Sequence, residues 1–285
     1  MVEFLIQLLN GVQYGLLLFL LASGLTLVFG ILGVINLAHG SFYMIGAYLA
    51  WWLAGALGSL WLAIPVGLAL ALALGALLET ALVSRLYRRD HLYQVLLTFG
   101  LILVFEEARS ILFGDDVHGV AVPALLDYSI RLTETLSYPV YRLFISGVCL
   151  LIAGTMYLVI RHSRFGMMIR AGSSNREMAA SLGVNIRMLY ALVFALGIAL
   201  AAFAGMIAAP LSSVFPGMGN QILIICFVVV VIGGIGSVKG ALIASLLIGL
   251  TDTLGKVTLP EFSGVAVYLL MAVILLWRPQ GLAKA

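Results

Sequence analysis

The chain has 285 residues, of which 63% are hydrophobic and only 9% charged, with a mean hydropathy of +1.18 and a formal net charge of +3. Soluble domains carry about 25% charged residues, so no water-soluble core could hide this much apolar side chain, and lipid is the solvent that fits. A surplus of three charges does not mark a nucleic-acid partner, and Cys149 and Cys226 lie in apolar runs with no CxxC or Cys/His spacing, which points away from a disulfide framework or a metal site.

At roughly 20 residues per crossing, the sequence predicts an all-α integral membrane protein. It would be a polytopic helical bundle of about eight or nine transmembrane segments with Gly-rich breaks, forming one domain over residues 1–285. The N-terminus has no Lys or Arg before its apolar run and no small-residue cleavage site, so no removable signal peptide is expected. The first span covers about Phe4 to Phe29, and Gln7, Asn10 and Gln13 fall near one face of it. That face is either packed on other helices near the interface or lines a transport path.

A glycine break, GILGVINLAHGS, follows from Gly30 to Ser41. Further spans are predicted from Phe42 to Leu57, Leu60 to Ser84 and Tyr93 to Phe113. The second of these ends at Arg85, Arg88 and Arg89. Residues 114–142 hold Asp115, Asp116, Asp127 and Glu134 against Arg131 and Arg142, as an extracytoplasmic loop would. Their alternation and Pro123 predict a short strand or hairpin on the membrane surface. The fifth span is Leu143 to Ile160, and the sixth runs from Leu189 to Ala209, where Pro210 stops it. An apolar run from Ile222 to Ile232 leads into a second break, GGIGSVKG, from Gly233 to Gly240. Spans from Ala241 to Leu254 and Val265 to Trp277 complete the chain.

Between the fifth and sixth spans lies a long basic loop, residues 161–187, with five arginines and His162 against one acid, Glu177. Placing this loop, residues 85–91, the second break and the C-terminus inside collects eleven of the fifteen Lys and Arg. By the positive-inside rule these segments are cytoplasmic. If every segment crosses there are nine crossings, with the N-terminus outside and the C-terminus inside; the alternative is that residues 30–57 dip in only partway, which changes the count. With nine crossings the two breaks both face inward, as a faint internal echo; paired broken helices often mark the substrate path of transporters.

Polar groups within the bilayer are costly unless paired or wetted. Asn36, His39, Ser41 and Tyr43 therefore either replace backbone partners lost at the first break or line the translocation route, with Gln13, Gly233 and Gly236 as further candidates. Glu106 and Arg109 form an i,i+3 pair at the outer end of the fourth span. Glu79 is expected to pair near the inner interface, one to two turns before Arg85. Small residues four apart, as in Gly11, Gly15 and in Gly197, Ala201, Gly205, allow close helix packing. No GxSxG, HExxH or Walker A pattern occurs, so no catalytic residue and no metal ligand is assigned. An ion-driven carrier or channel would need a carboxylate relay, for which Asp252 is the nearest candidate. An intramembrane enzyme would be built around His39 and Ser41.

Two stretches carry a family resemblance. GLTLVFGILGVINLAHGSFYMIGAY (Gly24–Tyr48) resembles the N-terminal signature of ABC-type branched-chain amino acid permeases, the LivH/LivM family. The run from RFGMMIRAGSSNREMAASLGVN (Arg164–Asn185) to VVVVIGGIGSVKGALIASLLIG (Val228–Gly249) is similar to its C-terminal half. The order INLAHG is more like the LivH-type subunit than its larger LivM partner. The basic loop also resembles the coupling loop of ABC importers: Glu177, Ala179 and Gly183 fit, and Met178 departs from the pattern.

The resemblance implies a multi-pass subunit of a bacterial inner membrane, paired with a second, LivM-type permease. It further implies two cytoplasmic ATPases and an extracytoplasmic solute-binding protein. ATP and Mg would sit on the ATPases, and this chain would bind no cofactor. ATPase coupling would fall to Arg164, Arg170, Arg176, Glu177, Ala179, Ala180 and Gly183. The cargo stays open among branched-chain amino acids, urea, amides and aromatic acids.

Overall fold

A computed structural model describes residues 2–87, 89–131, 137–258 and 260–283. Arg88, Glu134 and Lys284, used above to orient the chain, lie outside the described residues. Eleven α-helices are seen among the described residues: α1 (Val2–Leu32), α2 (His39–Leu57), α3 (Leu60–Ala81), α4 (His91–Phe113), α5 (Val140–His162), α6 (Arg164–Ser174), α7 (Arg176–Ser181), α8 (Ile186–Ala208), α9 (Met218–Gly233), α10 (Val238–Thr258) and α11 (Ser263–Trp277). Helix dominates because backbone N–H and C=O groups in lipid must be satisfied within their own segment. Five helical stretches are long and apolar enough to cross a membrane: Phe4–Leu32, Leu60–Leu86, Val140–His162, Ile186–Ala208 and Val238–Thr258. Met218–Gly233 and Gly264–Trp277 are apolar but shorter.

The expected hairpin is present. β1 (Ser129–Arg131) pairs antiparallel with β2 (Ser137–Pro139), with Ile130 opposite Tyr138. The preceding GVAVP segment is not a strand; it is tied down by backbone bonds in both directions between His118 and Val214. His118 also stacks on Trp51 of α2, with centroids 3.7 Å apart.

α1 and α8 form the buried centre, whereas α5 turns most of its surface outward. At about 1.5 Å per residue, the 31-residue α1 is about 46 Å long, more than the hydrocarbon core alone requires. It runs against α10, and the small residues between them explain the fit. A Cβ placed on Gly15 would lie 2.8 Å from the Ser245 carbonyl, and one on Gly249 would lie 2.5 Å from that of Gly11. α8 is crossed on one side by α1, where a Cβ on Gly24 would lie 2.5 Å from the Gly197 carbonyl. On another side α2 crosses it, where a Cβ on Gly46 would meet Ala202 Cα at 2.6 Å. The small-residue spacings in the sequence are therefore backbone-to-backbone contacts.

The polar start of α1 has a structural use. Arg142 at the start of α5 donates to Asn10 Oδ1 at 2.8 Å, and Asn10 donates to Gln7 at 3.3 Å. At the far end of α4, Arg109 reaches Glu106 at 3.5 Å and donates to Asp115 and the Gly114 carbonyl, both at 2.7 Å. Hydrogen bonds from Arg109 and then from Ser110 hold the Asp115 carboxyl below its ordinary value.

Candidate functional site

The first break begins at Gly33, whose φ of +65° is a left-handed conformation that glycine adopts without Cβ strain. Asn36 Oδ1 accepts the Ala38 N–H at 3.1 Å and turns the chain into α2. His39 opens α2 and donates from Nε2 to the Leu21 carbonyl of α1 at 3.0 Å, which locks the new helix to the old one. In the second break, Gly234 and Gly236 both have positive φ, and α10 restarts with the Gly240 N–H bonded to Ser237 Oγ at 3.2 Å. The last turn of α1, where the sequence places the start of the first break, touches the second: a Cβ on Gly30 would lie 2.6 Å from Gly236 Cα. The internal echo in the sequence is thus also a contact in space.

A cavity of about 1250 Å³ opens between the breaks, α5 and α6. Phe19, Thr26 and Gly30 contribute from α1, Ile35 and Gly236 from the two breaks, and Tyr157 from α5. The Thr26 hydroxyl has no partner among the described residues. Arg161, Arg170, Lys239 and His91 also line the cavity and make it basic. Arg161 and Lys239, from α5 and α10, both lie over the Tyr157 ring, at 5.6 and 5.7 Å from its centroid. Of the seven residues the sequence offers for a translocation path, Gly236 lines this cavity. Gln13, Asn36, His39, Ser41 and Tyr43 are buried among helices, and Gly233 packs on Gly240.

The basic loop is a three-jointed elbow, and each joint is capped by its own side chain. Ser163 Oγ accepts from Gly166 N at 3.0 Å, Asn175 Oδ1 from Met178 N at 2.9 Å, and Asn185 Oδ1 from Met188 N at 3.0 Å. These caps satisfy N–H groups that a helix start leaves unpaired. Gly183, at φ +88°, ends the turn after α7. Beneath the elbow, Ile169, Ala179, Ile186 and Leu189 form a small core with Ile31 of α1. The elbow therefore rests on the helix that ends at the first break. Arg170 bonds back to the Ile160 carbonyl. Arg164, Arg176, Glu177 and Ala180 are exposed, and Met178 (59%) and Leu182 (77%) stand bare in the same short helix and turn.

Sequence reasoning missed Tyr87 and Tyr190. Tyr87 lies between α3 and α4, and its hydroxyl donates to Glu79 at 3.0 Å. The predicted pairing of Glu79 is thus to a phenol, because the chain turns back over α3 and places Tyr87, not the Arg85 side chain, beside the buried carboxylate. Burial, reinforced by the Glu79 charge, pushes the Tyr87 hydroxyl above its ordinary value. Among the described residues, no group of three or more His, Cys, Asp or Glu could hold a metal ion.

Apolar helices interrupted at touching breaks, a cavity between them and a capped elbow describe a multi-pass membrane protein of the transport class. The chain belongs to the family described as "Branched-chain amino acid transport system / permease component", whose profile matches residues 7–276. It is 31% identical to the high-affinity branched-chain amino acid transport system permease protein LivH of Escherichia coli K12, over 98% of this chain and 95% of the relative. Similarity to BraD of Pseudomonas aeruginosa, a permease protein of the same description, has the same extent, 31% over 98% and 95%. LivM of Escherichia coli K12 is 29% identical over 92% of this chain and 67% of its own length. No solved structure matches the chain.

Proposed function

We propose that this chain is a membrane-spanning permease subunit of an ABC importer in a bacterial inner membrane, carrying branched-chain amino acids or a related small solute. Family membership and near full-length similarity to LivH and BraD support the transport role and the class of cargo. The similarity to LivM supports a second permease subunit beside this one. Nine crossings, with residues 114–142 outside and 161–187 inside, account for the eleven helices when α6 and α7 lie at the cytoplasmic surface.

The observation that carries the mechanism is the elbow. Its caps fix its shape, and its core fixes it to α1. Exposed Met178 and Leu182 beside Glu177 give a soluble partner an apolar seat with a charged edge. In this reading ATPases dock on residues 161–187, with Arg164, Arg170, Arg176, Glu177, Ala179, Ala180 and Gly183 forming the joint. ATP and Mg belong to those partners, and an extracytoplasmic binding protein delivers the solute. Closure of the ATPases pushes the elbow against α1, and the touching breaks let the bundle open and close around the cavity. Asp252 is held by Lys256 at 2.6 Å in an i,i+4 pair, which weakens the case for an ion relay at that carboxylate.

The test is reconstitution with the second permease, the ATPases and the binding protein in vesicles, offered leucine, urea and an aromatic acid. ATP-dependent uptake that Glu177→Ala abolishes, while membrane insertion is unchanged, is the expected result. Uptake by this chain alone along an ion gradient would overturn the proposal.

A further inference from the structure

Side chains that are distant in sequence meet directly under the elbow. The Arg176 guanidinium, at the start of α7, lies 5.5 Å from the Tyr87 ring centroid and 5.1 Å from that of Tyr190. The two rings meet edge to face, with centroids 5.2 Å apart at 76°. Tyr87 then passes its hydroxyl to Glu79 at 3.0 Å. Glu79 has no solvent exposure, and its Oε2 has no partner among the described residues. Arg187, at the start of α8, acts electrostatically on the same carboxylate.

A carboxylate buried at this depth with one oxygen unsatisfied is costly. Its immediate surroundings do not call for it: Leu78 and Val83 nearby are buried and apolar. What Glu79 adds is direction. Apolar contact is non-directional and lets surfaces slide, whereas a hydrogen bond and a cation held over a ring fail when displaced. The series Arg176, Tyr87, Glu79 therefore ties α7 to the inner end of α3. From there α3 packs closely along α8, where a Cβ on Gly75 would lie 2.7 Å from Ala195 Cα.

We propose that Tyr87 is a positioning residue of the coupling machinery. Its ring holds Arg176 of the docking helix, its hydroxyl holds Glu79 of α3, and movement of α7 is passed through it to α3. This rests on the elbow being the ATPase dock, so the experiment must separate the two ideas.

The complete transporter is reconstituted, and solute taken up per ATP hydrolysed is measured together with ATPase co-purification. Tyr87→Phe keeps the ring under Arg176 and removes the bond to Glu79; Tyr87→Leu removes both. Uptake per ATP is expected to fall up to about tenfold in Tyr87→Phe, the scale of one lost hydrogen bond, and further in Tyr87→Leu. Glu79→Gln, which keeps an acceptor oxygen for the phenol, is expected to retain most of the parental ratio. ATPase co-purification with Tyr87→Phe should match the parent, and if Tyr87→Leu fails to assemble, Tyr87→Phe decides. Parental ratios in both Tyr87 variants alongside an uncoupled Glu177→Ala would overturn the link alone. Normal coupling in Glu177→Ala would overturn the dock and the link with it.

Discussion

Replacing Gly30 by alanine tests whether the two breaks bear on one another. The new methyl would lie 2.6 Å from Gly236 Cα, whereas non-bonded carbons sit at about 3.5–4.0 Å. The shortfall is about 1 Å, and it falls on backbone, which has no rotamer to withdraw. Gly236 itself is at φ +82°. The second break must therefore shift as a unit, and overpacking of this kind costs about 1–3 kcal/mol. For a chain of this size that is a fall in melting temperature of roughly 2–10 °C. Cys149 and Cys226 are both free and buried, so a thiol-reactive fluorophore in detergent reports unfolding directly. Gly100→Ala is the internal control: Gly100 lies inside α4 with nothing within 4 Å of a Cβ, and alanine there should gain about 0.5–1 kcal/mol. Gly30→Ala melting with the parent, or rising alongside Gly100→Ala, would show that the breaks are not in forced contact.

Three other outcomes follow from the geometry. Asn175→Ala removes the cap of α7 and should weaken that helix by about 1 kcal/mol, seen as faster proteolysis within residues 164–185 at an unchanged melting temperature. Tyr141→Phe deletes the phenol that donates to the Ile207 carbonyl at 2.9 Å; the orphaned acceptor should cost about 1–3 kcal/mol in the same thermal assay, and an unchanged midpoint would contradict that bond. Arg109→Leu frees Glu106 and Asp115 together, and its effect should depend on pH. Asp115 sits below its ordinary value when folded, so the parent's advantage over Arg109→Leu is complete above about pH 4, where a free aspartate ionises. The share that Asp115 supplies is lost as pH falls through the lower folded value, while the bond from Arg109 to the Gly114 carbonyl persists. A constant gap down to the lowest pH that the fold survives would show the carboxylate is not involved.

The long apolar helices and the hairpin were legible because each has a local cause, whereas residues 161–187 were legible as a basic loop and not as three capped joints. Long apolar runs need no partner to be recognised, and Asn175 and Asn185 cap the helices that follow them. Touching of the breaks was not legible, because Gly30 and Gly236 meet only after α1 and α10 have packed. The polar residues of the first break show the same limit. Asn36 and His39 read equally well as backbone partners or as lining, and their hydrogen bonds to Ala38 and Leu21 show what they hold. Helical periodicity cannot separate a cavity-facing side from a helix-facing one when both are apolar and small. Arg176 was singled out for its charge, yet the aromatic rings on which it rests come from two other segments and leave no local trace.

The crossing of α2 over α8 has a consequence for how the sequence can drift. At Gly46 and Gly205 one main chain abuts another, with Ala202, Tyr43 and Ala47 as the facing atoms. A bulkier residue on either rod has no side chain opposite that could shrink to accommodate it. Compensation must come from realigning the whole rod, so single exchanges at this crossing are expected to be lost from a randomised library. Tolerated changes should instead appear as coordinated shifts of register along both rods.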